Sequence, residues 1–146
     1  MASTTSKVKW VSGLRFIGAS GSGHGVIMDG SQSGDLDGSL GPSPMEMLLL
    51  GLGGCSAIDV VHILKRMRQP VEDCQVELSA ERALMPPRVF TSILARYTVI
   101  GSGLAQERVI EAVRLSADKY CSASVILGKA VEITREISVI DRSDAA

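Results

Sequence analysis

The chain has 146 residues, enough for one domain with a sizeable core. Hydrophobic residues make up 45% of it but aromatic ones only 3%, so that core must be aliphatic. The formal net charge is −1 and no basic stripe is interleaved with aromatics, which excludes nucleic acid as an expected partner.

The opening Met-Ala-Ser-Thr-Thr-Ser-Lys lacks the charged-then-apolar build of a signal peptide. The longest apolar stretch lies between Glu46 and Asp59 and is too short to span a bilayer, so no membrane association is expected. A cytoplasmic protein follows, and in that compartment three cysteines are free or redox-active rather than a structural framework. A single domain over 1–146 is expected, with short disordered ends at about 1–6 and 141–146.

Residues 7–18 and 25–29 read as strands around a hairpin loop, Ala-Ser-Gly-Ser-Gly-His-Gly, at 19–25. The turn-rich run 29–42 has room for a short third strand around Leu36. Ser43-Pro44-Met45-Glu46 then opens a helix as a capping box, with Ser at the N-cap, Pro first and Glu third. That helix is expected to run to about Arg68 and to stop at Gln69-Pro70. Its first half is apolar on all sides, which predicts a central rather than a peripheral position.

In 74–82, Cys74, Val76, Leu78 and Ala80 alternate with polar residues, a strand buried on one face. The β-branched run 89–100 is a second strand. Residues 105–120 place Val109, Ala112, Val113, Ser116 and Tyr120 on one helical face. A short helix at 122–127 and a strand at 130–140 complete an α+β order with antiparallel sheet.

Two cysteines stand in contrasting settings. Cys55 lies mid-helix among glycines, in Met-Leu-Leu-Leu-Gly-Leu-Gly-Gly-Cys-Ser-Ala-Ile (47–58). Cys121 lies at a helix break, in Lys-Tyr-Cys-Ser-Ala-Ser (119–124), where the amides of a following helix can stabilise a thiolate. If the fold joins them, one can attack an oxidant and the other resolve the product as a disulfide. The plainer readings are a small buried hydrophobe at Cys55 and a capping cysteine at Cys121. Cys74 reads as structural. Gly51, Gly53 and Gly54 cost helix stability, roughly 1 kcal/mol each against alanine, and close approach of another backbone would justify them.

Cys55, Asp59 and His62 share a helix face at i, i+4 and i+7. A metal bridging both ends is not expected, since i to i+7 spans ~10 Å along the axis. Asp59 or His62 could instead assist the thiol or make a buried polar contact. No cofactor is expected.

Gly-Pro-Ser-Pro-Met-Glu-Met-Leu-Leu-Leu-Gly-Leu-Gly-Gly-Cys (41–55) and Ala-Asp-Lys-Tyr-Cys-Ser-Ala-Ser (117–124) resemble the OsmC/Ohr superfamily, closest to the OsmC-like branch with Gly-Gly-Cys and a following Asp. The resemblance covers nearly all of 7–140. It implies an intertwined homodimer in which antiparallel sheets wrap around central cysteine-bearing helices. It also implies thiol-dependent reduction of organic hydroperoxides, with Cys55 peroxidatic, Cys121 resolving and a small dithiol or lipoyl group as reductant. Family peroxidases add a glutamate near the start of the cysteine helix and an arginine from the N-terminal hairpin. The glutamate position falls on Met45, leaving Glu46 one place late; the hairpin loop has no arginine, leaving Arg15 in the preceding strand or His24 in the loop as substitutes. Two further readings are a redox-sensing or hydrophobic-ligand-binding dimer without turnover, and a purely structural dimer.

Overall fold

The computed structural model describes residues 3–31 and 38–144. The expected strand around Leu36, and the outermost residues of the two ends expected to be disordered, lie outside the described residues. By contacts the chain divides into two units, Met1–Leu49 and Leu50–Ala146.

The first unit is a three-stranded antiparallel sheet of β1 (Ser6–Ser12), β2 (Arg15–Ser20) and β3 (Gly25–Asp29), in that spatial order. The strand expected over 7–18 is thus two strands. Gly13 takes φ +53°, which turns the chain, and the indole N–H of Trp10 donates to the Gly13 carbonyl at 2.8 Å. Register pairs Lys9 with Ile17 and Phe16 with Met28. Asp29 is buried at the end of β3 and accepts hydrogen bonds from Ser31 N–H (2.8 Å), Leu40 N–H (3.0 Å) and Arg15 Nε (2.9 Å). Bonding to Ser31 and Leu40, then to Arg15, holds its carboxyl well below the usual carboxylate range.

Helix α1 spans Pro44–Arg66. It opens with the expected capping box: Ser43 N–H donates to Glu46 Oε1 at 3.0 Å and Glu46 N–H to Ser43 Oγ at 3.2 Å. It ends two residues before expected, where Arg68 adopts φ 59° ahead of Pro70. Helix α1 is long and apolar enough to cross a membrane, with a mean hydropathy of 1.9 over its most apolar 18 residues, because the helix continues past Asp59. One stripe of it, including Leu52, Val60 and Leu64, is buried in the second unit. Central burial all round is not met within the chain, since Leu48 and Leu50 are exposed and Ile58 is 71% exposed.

The second unit holds a sheet of β4 (Val71–Arg82), β5 (Phe90–Gly101) and β6 (Glu132–Asp141). β4 and β5 pair antiparallel, but β5 and β6 run parallel, from Ser92–Glu132 to Gly101–Asp141. The expected all-antiparallel sheet is therefore mixed. The reason is the crossover between β5 and β6: α2 (Gln106–Leu115), a π-helical turn (Ser116–Tyr120) and α3 (Ser122–Gly128). Ile93, Ala95, Tyr97 and Val99 alternate along β5 and are buried. Ala95, Tyr97 and Val99 join Val60 and Leu64 of α1 and Val109, Ala112 and Val113 of α2 in one aliphatic core. Gly53 explains itself here, because a Cβ would stand 2.6 Å from Leu78 Cδ1 of β4.

Candidate active site

Cys55 stands on α1, one turn before Asp59. Its neighbour Ser56 is buried on the core side of the helix. The second thiol arrives through the π turn, in which Cys121 N–H donates to Ser116 C=O at 2.8 Å, a five-residue closure. That extra residue per turn ends the apolar face expected to continue to Tyr120. Tyr120 is exposed, whereas Ser116 and Cys121 are fully buried.

Cys121 then leaves helical geometry (φ −77°, ψ 102°) and becomes the N-cap of α3, its Sγ accepting from Ser124 N–H at 3.3 Å. The sequence expectation of amide stabilisation is met in kind, but burial outweighs it. Burial pushes the Cys121 thiol up, Ser124 pulls it part of the way back, and Cys55 alongside adds to the rise. Arg135 of β6 braces the same corner, Nη2 donating to Ser124 Oγ at 3.2 Å, while its buried Nε has no hydrogen-bond partner.

The fold brings Cys55 Sγ, Cys121 Sγ and a carboxylate oxygen of Asp59 within 4.8 Å of one another. Both thiols are free. A disulfide needs ~2.05 Å between sulfurs, so bonding them requires the two thiols to draw closer.

Behind this cluster runs a hydrogen-bond chain that was not among the sequence expectations. Ser116 Oγ donates to Asp59 Oδ2 at 3.2 Å, Ser116 and Ser56 hydroxyls meet at 3.3 Å, and Ser56 meets Tyr97 OH at 2.6 Å. A carboxylate oxygen only accepts, and each hydroxyl has one proton, so the direction is set. Tyr97 donates to Ser56, Ser56 to Ser116, and Ser116 to Asp59. The signal was present in the sequence as a serine on the apolar face of 105–120 and another beside Cys55, both at positions that packing alone would give to alanine or valine.

Asp59 also lines a cavity of about 480 Å³, with His62, Arg66, Ile63, Met67, Leu115 and Tyr120. His62 thus faces this space and is absent from the thiol cluster. Cys74 sits half-buried on β4 against the core; burial, then the Asp73 charge, pushes its thiol up.

The remaining expected site residues lie in the first unit. Arg15 pairs with Asp29 and donates from Nη2 to Gly38 C=O at 3.2 Å. Glu46 is held in the capping box, and its bonds to Ser43 lower its pKa. His24 is exposed in the β2–β3 turn, with Nδ1 3.1 Å from Ser22 Oγ.

Residues 35–136 match the family described as OsmC-like protein. The chain belongs to that family, within the OsmC/Ohr superfamily. It is 52% identical to Protein YhfA of Escherichia coli (strain K12) over 134 residues, covering 92% of this chain and 96% of the relative. A hypothetical protein from Aquifex aeolicus VF5 superposes with a TM-score of 0.83 at 27% identity, over 95% of this chain and 97% of the other. The organic hydroperoxide resistance protein OhrB of Bacillus subtilis shares the fold with a TM-score of 0.64 at 16% identity, over 94% and 98% of the two chains. Membership agrees with the motifs around Cys55 and Cys121, which lie inside the matched span.

Proposed function

We propose that this OsmC-like chain is a cytoplasmic thiol peroxidase for organic hydroperoxides, acting as a single-domain homodimer in oxidative-stress defence. The observation that carries the reading is the pair of free thiols, Cys55 and Cys121, within 4.8 Å of each other. Cys55 thiolate attacks the terminal oxygen of ROOH, the O–O bond breaks, and the alkoxide leaves and takes a proton as ROH. Cys55 is left as a sulfenic acid. Cys121 then attacks the Cys55 sulfur, expelling the hydroxyl as water and closing the disulfide. A dithiol or lipoyl reductant restores both thiols and is itself oxidised to a disulfide. Burial keeps the Cys121 thiol protonated at neutral pH, which suits a group that acts second.

Asp59 lies beside both sulfurs and is held by Ser116. In this reading it takes up the proton that Cys121 gives up during resolution and hands it to the departing hydroxyl, which leaves as water. The exposed apolar residues of α1, Leu48, Leu50 and Ile58, are the surface a second copy would cover. Arg15, Glu46 and His24 are carried as electrostatic partners on the family resemblance.

A second reading, a redox-sensing dimer without turnover, is favoured by one observation: Arg15 and Glu46 are already engaged by Asp29 and Ser43. Continuous consumption of cumene hydroperoxide by catalytic protein with dihydrolipoamide supports the peroxidase. Consumption that halts at one equivalent per chain assigns the sensor.

A further inference from the structure

Along α1, Cys55 and His62 stand too far apart to share one metal. The fold replaces His62 with Cys121. We propose that, in the reduced protein, Cys55, Cys121 and Asp59 form a three-ligand site for a thiophilic divalent cation of the zinc class. This inference goes beyond the peroxidase reading and does not depend on it.

Four observations carry it. The two sulfurs and the carboxylate oxygen all lie within 4.8 Å of one another. Around a tetrahedral zinc, with bonds near 2.3 Å to sulfur and 2.0 Å to oxygen, ligand atoms stand about 3.5–3.8 Å apart, so closure needs a contraction of about 1 Å. The donor set is two thiolates and one carboxylate, which selects a borderline-soft cation over magnesium or calcium. An outer shell is already in place. Ser116 Oγ donates to Asp59, backed by Ser56 and Tyr97, and Ser124 N–H donates to Cys121 Sγ. Such partners fix the orientation of ligating groups and stabilise their charge. Asp59 also borders the 480 Å³ cavity, a space beside the cluster large enough for water.

Binding balances without electrons: M²⁺ displaces two thiol protons, and two metal–sulfur bonds form. The cation therefore occupies the same sulfur lone pairs that attack a hydroperoxide, and the loaded protein resists oxidation at both cysteines.

The test uses reduced, chelator-treated full-length protein and no peroxide. Zinc is titrated against a chromophoric chelator, and cadmium is followed by its thiolate charge-transfer absorption. The expected result is one equivalent per chain in wild type and in Cys74→Ser. Cys55→Ser and Cys121→Ser weaken binding at least 100-fold, Asp59→Asn at least 10-fold and Ser116→Ala about 10-fold, the scale of outer-shell losses. A second readout needs no variant: zinc slows alkylation of Cys55 by iodoacetamide in mapped wild type and leaves that of Cys74 unchanged. Absent stoichiometric binding, a Cys55 alkylation rate unchanged by zinc, or zinc affinity unchanged by Asp59→Asn would each overturn the site.

Discussion

Replacing Tyr97 by phenylalanine removes one oxygen from a side chain that is 2% exposed and leaves its volume almost unchanged. In the direction deduced from Asp59, Ser56 loses an incoming hydrogen bond but keeps its own proton on Ser116. The cost is one net hydrogen bond, about 1 kcal/mol. Ser116→Ala does something different. Asp59 loses a donor that water can replace, since it is only half-buried, but the buried Ser56 hydroxyl is left with a proton and no acceptor. An orphaned donor costs about 1–3 kcal/mol beyond the lost bond. Ser56→Ala likewise strands the Tyr97 hydroxyl, so the double variant Tyr97→Phe/Ser56→Ala is expected to be more stable than Ser56→Ala alone. Urea unfolding resolves these differences, and at this chain length each kcal/mol moves Tm by about 3–4 °C. The expected order of loss is Ser116→Ala above Tyr97→Phe. A larger loss for Tyr97→Phe, or no rescue in the double variant, would refute the assigned direction and with it Asp59 as the terminus of the chain.

Asp29→Asn tests the other unit. The folded pKa is depressed, so Asp29 contributes stability that is present above the ordinary carboxylate value and lost as pH falls through about 4 toward the folded value. The variant is therefore less stable than wild type at pH 7, and the gap narrows in acid; a constant gap from pH 7 to pH 3 contradicts the linkage. Gly53→Ala and Gly54→Ala separate the glycines. Gly53→Ala gains about 1 kcal/mol of helix propensity but pushes Leu78 aside, whereas Gly54 has open space within its own chain. Gly54→Ala is thus expected to raise intrinsic helix stability while weakening self-association in sedimentation, and unchanged association would sink the idea that a second copy covers that face. Ser43→Ala removes the capping-box hydroxyl and is expected to cost about 1 kcal/mol in urea unfolding.

What the sequence made legible was local. The capping box at Ser43–Glu46 and the stop before Pro70 are fixed by near neighbours, and both were readable. The turn at Gly13 was missed because Lys9 to Ile17 keeps a strand-like composition on either side of it. The direction of β6 was missed for another reason. A period of two marks a strand but carries no polarity, and a connection built from two helices permits a parallel partner without requiring one. The π turn at 116–120 escaped because a five-residue closure leaves no compositional mark, yet it decides that Cys121 is buried and Tyr120 is not. The meeting of Cys55 with Cys121 was expected from motif likeness alone. Asp59 joining them, rather than His62, needed three-dimensional placement of Cys121 beside α1. Ser56 and Ser116 were visible as polar residues on apolar faces, but their linkage to Tyr97 depends on β5 lying beneath both helices.

The central claim is that Cys55 is oxidised first and Cys121 resolves it. Intact mass after one equivalent of cumene hydroperoxide tests this directly, comparing wild type with Cys55→Ser and Cys121→Ser. The account predicts loss of two hydrogens in wild type only, with an oxygen adduct confined to Cys55 when Cys121 is replaced. An unchanged wild-type mass, or an adduct that appears on Cys121 instead, would contradict it.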